Sequence, residues 1–142
     1  MRILVSACLL GAACRYDGGS KPCEKILALA KRHELIPVCP EQLGGLSTPR
    51  PPAEIRGTRV VNRLGEDVTA QYRRGAEETL RLYRLLSCEG AVLKANSPSC
   101  GCGQIYDGSF SGTLIPGSGV TAALLTENGV PVQTEETFSA PE

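Results

Sequence analysis

The sequence predicts an α/β fold: a three-layer, Rossmann-like domain around a mostly parallel sheet. Three observations carry that expectation. Short β-branched runs alternate with longer helical patterns in the order β-α-β-loop-α-β-α-β, and strands separated by helices imply parallel pairing through right-handed crossovers. The length of 142 residues suits a single core that removes about two-thirds of the unfolded surface from water. Cysteine-bearing or glycine-rich loops follow the strands, as expected when a ligand binds beyond the carboxyl ends of an open parallel sheet. Residues 1–142 therefore read as one domain, without a linker or a domain-scale repeat.

Arg2–Ser6 (RILVS) is the first strand. Ser20-Lys21-Pro22 then reads as the cap and first turn of a helix that places Cys23, Ile26, Leu27 and Ala30 on one face and ends near His33. Glu34–Cys39 (ELIPVC) is the second strand, weakened by Pro37, which cannot donate to a ladder. The proline-rich stretch from Pro40 to Gly57 is expected to be irregular, and Thr58–Asn62, with a turn at Leu64–Asp67, to be a small appended strand.

Thr69 caps a long helix through Leu86, with Tyr72, Ala76, Leu80 and Tyr83 on its inner stripe. Arg73/Glu77, Arg74/Glu78 and Glu77/Arg81 are spaced to pair on its outer face. Ala91–Ala95 is the third main strand. A glycine-rich turn leads to a helix from about Gly119 to Asn128-Gly129, a left-handed stop signal. Val130–Thr134 is the last strand, and residues from about 135 to 142 read as a loose tail.

Fifteen basic and fifteen acidic residues cancel without forming a block of one sign, which argues against a polyanion or a membrane surface as partner and favours a small molecule. With no Trp, two Phe and four Tyr, a stacking platform for nucleic acid is not expected. Met1–Cys8 holds too short an apolar run for a secretory signal, and no stretch of about 20 apolar residues follows, so a cytoplasmic protein is expected. Reducing conditions keep thiols free there, and seven cysteines then point to metal binding or catalysis rather than to bridges.

Cys8 follows the first strand, Cys39 ends the second, and Cys100 lies five residues beyond the third. Singly, Cys8 and Cys39 would read as small buried hydrophobes; together with Cys100, topology gathers them at one edge of the sheet. Three soft thiolates suit zinc or an iron–sulfur cluster. A closed zinc site needs a fourth ligand, and His33, the only histidine, belongs to the far end of its helix, which leaves Cys14 or Cys102. A four-iron cluster on three cysteines would instead leave one iron open as a Lewis acid.

The glycines of Ser97–Gly103 (SPSCGCG) would let backbone approach such a bulky group and supply unusual turn conformations. Cys23 and Cys88 read as core packing. Asp17 and Asp107, in two copies of Tyr-Asp-Gly, read as turn formers, and His33 as solvated surface.

Four segments carry more. SACLLG (6–11), CRYDGG (14–19), PVCPEQLGGLSTPRPPAEI (37–55) and KANSPSCGCGQIYDGSF (94–110) resemble the thiouracil desulfidase family of iron–sulfur enzymes. The resemblance implies a [4Fe-4S] cluster held by Cys8, Cys39 and Cys100, with Glu41 as the acid–base residue and Ser97 as the active-site serine. It also implies a non-redox desulfidase that hydrolyses the C=S group of a thiolated pyrimidine or related heterocycle to C=O with release of sulfide. Arg50 and Ser99 are expected to bind substrate, Arg50 through its planar fork; an ordinary surface ion pair is the other reading of Arg50. A non-catalytic zinc-binding or thiol-based module is the competing account of the same cysteines.

Overall fold

The computed structural model describes residues 1–139. In chain order its elements are β1 (Arg2–Ser6), α1 (Glu24–Leu27), β2 (Glu34–Val38), α2 (Pro40–Leu43), β3 (Ala53–Arg56), β4 (Arg59–Asn62), α3 (Thr69–Leu85), β5 (Gly90–Leu93), β6 (Gln104–Tyr106), β7 (Leu114–Pro116), α4 (Val120–Glu127) and β8 (Val132–Thr134). Tighter 3-10 turns occupy Ala7–Leu10 and Ala28–Lys31. Four strands form the main sheet in the order β2-β1-β5-β8, and every pairing is parallel. Strand order reverses at β1, which has β2 on one side and β5 on the other.

β1 and β5 read as continuous apolar runs because both faces of the sheet are covered. On one side Leu4 and Leu93 pack with Leu80 of α3 and Leu125 of α4; on the other Ile3, Val5 and Val92 pack with Leu9, Ile26 and Leu29. The result is the expected three-layer sandwich. Pro37 is tolerated because β2 lies at the sheet edge.

The first helix departs from expectation. Lys21 N and Cys23 N bond to the carbonyls of Cys8 and Leu9, so residues 20–23 run extended along the 3-10 turn and α1 begins only at Glu24. Across α1 and the 3-10 turn that follows it, the buried positions are Ile26 and Leu29, while Leu27 and Ala30 are exposed. The stretch from Pro40 to Gly57 is also more ordered than its prolines suggest. Pro40 takes the first helical position of α2, where its missing N–H does no harm, and β3 pairs antiparallel with β4. Residues 104–116 add a second small hairpin, β6–β7, which the sequence did not announce.

α3 starts at Thr69 as expected, but the Thr69 hydroxyl accepts from Val60 N, and it is Asp67 Oδ1 that accepts from Thr69 N at 2.9 Å. Among the described residues the outer face of α3 carries one ion pair, Glu78–Arg81 at 3.0 Å, in place of the three expected; ordering long exposed side chains offsets most of what such pairs gain. The tail is docked through Phe138, which is buried in the second core, and Glu135 Oε1 accepts from Ala95 N. Residues 140–142 of the expected loose tail lie outside the described residues. Among the described residues no helix is long and apolar enough to cross a membrane.

α2 lies against α3 backbone to backbone. A Cβ on Gly75 would overlap the Pro40 carbonyl, and one on Gly44 would overlap the Gln71 carbonyl. Glycine in mid-helix costs about 1 kcal/mol of propensity. Here it lets α2 approach closely enough to bring Glu41 against Tyr72.

Candidate active site

A cavity of about 350 Å³ opens at the carboxyl ends of the strands, where strand order reverses. Three loops bring thiols to it: Cys8 from the turn after β1, Cys39 from the β2–α2 junction and Cys100 from the loop after β5. Cys14 also lines it. Cys102 does not; it packs toward the first core with its thiol 3.8 Å from the Val132 carbonyl. Cys88 is buried in that core and Cys23 packs against the second, as expected of structural thiols. His33 stands at the opposite end of the sheet, beside the terminal amine of Met1.

Burial pushes the Cys100 thiol up to about 12, opposed by a hydrogen bond that the Ser6 hydroxyl donates to Cys100 Sγ at 3.4 Å. Burial likewise raises Cys8, against the pull of Lys94. Cys14 is raised to about 12 by burial together with Cys39 and Cys8. Burial thus favours the neutral thiol at all three, and metal binding at Cys8 and Cys100 would release protons.

Glu41 sits in the first turn of α2. Tyr72 donates to its Oε1 at 2.6 Å and Arg50 Nε donates to the same oxygen at 3.1 Å. Among the described residues Oε2 accepts no hydrogen bond, so the carboxylate is gripped by one oxygen and presents the other. Tyr72 is pushed above its ordinary range by burial and then by the Glu41 charge, which keeps it a proton donor to that oxygen.

Arg50 makes a buried ion pair in place of the surface one that was the other reading of it. It is not a surface residue: it lines the cavity while Nη1 donates to the Ser47 carbonyl and the Thr48 hydroxyl, and Nη2 to the Cys14 carbonyl at 2.9 Å. With Nε on Glu41, its fork is directed into the protein. It holds Glu41 in place and ties the Cys14 loop to the proline-rich loop.

Ser97 lines the cavity, and its Oγ accepts from Ser99 N and Cys100 N, each at 3.1 Å. It thus shapes the turn that carries Cys100 and keeps its own proton available. Ser99, expected at the substrate, is turned away. It is 1% exposed and its hydroxyl pairs with Thr121 of α4 at 2.8 Å, so it secures the loop to the helix behind it. Gly101 allows a close backbone approach, because a Cβ there would come within 2.8 Å of the Ser97 carbonyl. Gly103, at φ +91°, supplies the expected turn. Asp17 and Asp107 accept from Gly19 N and Ser109 N, the turn-forming role read from their sequence.

Three further cavity residues escaped sequence reasoning. Ser6 lies inside SACLLG and its hydroxyl joins Cys100 to Lys94 N. Lys94 pairs with Glu135 at 3.0 Å. Tyr72 was legible only as a core position of α3.

The model of the 2-thiouracil desulfurase family matches residues 3–137. The chain belongs to this family. It is 48% identical over 143 residues to the uncharacterized protein YbbK of Bacillus subtilis (strain 168), covering 94% of this chain and 95% of YbbK. Among solved structures it matches the [4Fe-4S]-dependent thiouracil desulfidase TudS with a TM-score of 0.90 and 48% identity, over 95% of this chain and 91% of TudS.

The cavity of this 2-thiouracil desulfurase family member suits an iron–sulfur cluster by its donor set. Three soft sulfur donors come from three separate loops, and a hydroxyl donates to one of the sulfurs. Among the described residues no three His, Cys, Asp or Glu side chains are arranged around the position of a single metal ion.

Proposed function

We propose that the protein is an iron–sulfur-dependent desulfidase that hydrolyses a C=S group of a thiolated pyrimidine or related heterocycle. One observation carries the reading: Cys8, Cys39 and Cys100 share a cavity with Glu41 and Ser97, in a chain 48% identical to a [4Fe-4S]-dependent desulfidase of the same fold. Cys8, Cys39 and Cys100 would hold a [4Fe-4S] cluster. When bound, the cluster supplies an open Lewis-acidic iron suited to a soft thiocarbonyl sulfur.

The chain's own residues do the rest. Arg50 and Tyr72 fix Glu41 by Oε1, which leaves Oε2 to take a proton from the attacking water. Ser97 Oγ already accepts two amide hydrogens, so its remaining function is to donate, which suits a ring nitrogen. The balance is C=S plus water giving C=O plus hydrogen sulfide, with no electrons transferred. The cavity of about 350 Å³ is on the scale of a small-molecule site. Seven free cysteines fit a reducing cytoplasm.

The test is iron, acid-labile sulfide and zinc per chain on protein prepared without oxygen, followed by assay with 2-thiouracil. About four irons with matching sulfide, lost on replacing Cys8, Cys39 or Cys100 by Ala, and release of sulfide with uracil are expected. Stoichiometric zinc and no turnover after anaerobic reconstitution would overturn the proposal in favour of a zinc-binding module.

A further inference from the structure

The chain has six aromatic residues, four Tyr and two Phe, and four of them line the active-site cavity: Tyr16, Tyr72, Tyr106 and Phe110. Tyr72 is committed to Glu41. Phe110 is different, because it has no polar handle and the protein holds it in a conformation that phenylalanine disfavours. Its φ is +57°, a left-handed value that costs an L-residue about 1–2 kcal/mol. Such strain persists only where the surroundings over-determine the backbone.

They do so here. Glu54 Oε1 accepts from Gly108 N at 2.9 Å and from Phe110 N at 3.1 Å. Glu54 is buried, and among the described residues no cation pairs with it, so its Oε1 is satisfied by the amides of this one loop. Arg56 Nε donates to the Gly108 carbonyl at 2.7 Å, and its guanidinium lies over the Phe110 ring, 5.7 Å from the centroid. Gly108 is pressed so closely on β3 that a Cβ would stand 2.8 Å from the Ile55 carbonyl. A ring that merely filled space would need none of this.

Resting on the desulfidase reading, we infer that Phe110 is the stacking platform for the planar heterocycle, and that it selects cyclic aromatic thiocarbonyl compounds over open-chain thioamides. Glu54 and Arg56 are the positioning residues that fix it. One face of the ring carries the Arg56 cation, which leaves the other for the ligand. Alanine substitution of a base-stacking aromatic costs about 1–3 kcal/mol, a factor of roughly 5–150 in affinity.

The test uses cluster-loaded enzyme with the variants Phe110→Ala, Phe110→Leu and Phe110→Tyr, iron content serving as the check on the site. Phe110→Ala is expected to raise KM for 2-thiouracil about tenfold with kcat within about threefold, and to shrink the kcat/KM preference for 2-thiouracil over thioacetamide by a similar factor. Phe110→Leu keeps bulk without a π face and should bind as poorly as alanine, while Phe110→Tyr should restore affinity. Calorimetry with uracil should show the same order without any chemistry. An unchanged KM in Phe110→Ala, or full affinity in Phe110→Leu, would overturn the inference while wild-type turnover left the desulfidase reading intact. A wild type that released no sulfide from 2-thiouracil would overturn that reading instead, and uracil affinity across the same variants would still decide the role of Phe110.

Discussion

The two ends of the main sheet each hold an ion pair beside a cavity or groove, and they make different use of it. At the amino ends, Arg2 Nε stands 2.8 Å from Glu34, but the side chains are 46% and 67% exposed. At the carboxyl ends, Arg50 Nε stands 3.1 Å from Glu41, with side chains 5% and 17% exposed. The longer contact is the one better shielded from water. Water screens the first pair; the second sits in a low-dielectric pocket where Arg50 makes three more hydrogen bonds and Glu41 takes one from Tyr72. The groove at the amino ends is lined by Met1, Arg2, Arg32, His33, Glu34 and Glu89 among others, with no cysteine. Burial and cross-bonding, not proximity of opposite charges, separate a prepared site from a decorated surface.

The sharpest way to break the comparison is to remove charge from the buried pair without changing its shape. Glu41→Gln should lower kcat by about 10²–10⁴-fold, the usual worth of positioned acid–base help, with iron and sulfide content unchanged. Sulfide release at the wild-type rate would remove Glu41 from the reaction. A smaller effect should come from the scaffold. Gly75→Ala improves helix propensity by about 1 kcal/mol, yet its Cβ would overlap the Pro40 carbonyl, so α2 must withdraw and carry Glu41 from Tyr72. We expect a net loss of about 1–3 kcal/mol of stability in denaturant melts together with reduced kcat. A stabilised, fully active variant would mean that the close approach of α2 and α3 is incidental.

The same contrast accounts for what could be read in the sequence. β1 and β5 were legible because strands buried on both faces write themselves as unbroken apolar runs. α2, at four residues, and β6 and β7, at three each, are too short for any periodicity to show. The buried face of α1 departs from the helical pattern because it is set by amides of Lys21 and Cys23 bonding to main-chain carbonyls, which no side-chain pattern encodes. In the site, topology sufficed to bring three cysteines together. Arg50 was visible as a cation, but the partners that absorb it include the carbonyls of Cys14 and Ser47, again main chain. Ser99 shared a motif with the site and still faced away, because its partner Thr121 lies 22 residues further on.

The smallest expected effect belongs to the exposed pair, and it is the control that gives the others meaning. Arg2 also donates to the Leu86 carbonyl at 2.8 Å, so the pair is best opened from its other side. Glu34→Ala removes the carboxylate and leaves that bond in place. Double-mutant cycles on exposed pairs return about 0.2–1 kcal/mol, and screening should shrink even that in high salt. Stability should therefore fall by no more than that amount, with the difference from wild type closing in about 1 M salt, and sulfide release from 2-thiouracil should be unchanged. A loss of several kcal/mol that salt did not touch would show that the amino end of the sheet is as tightly prepared as the carboxyl end. The distinction between the two ends would then have to rest on the thiols alone.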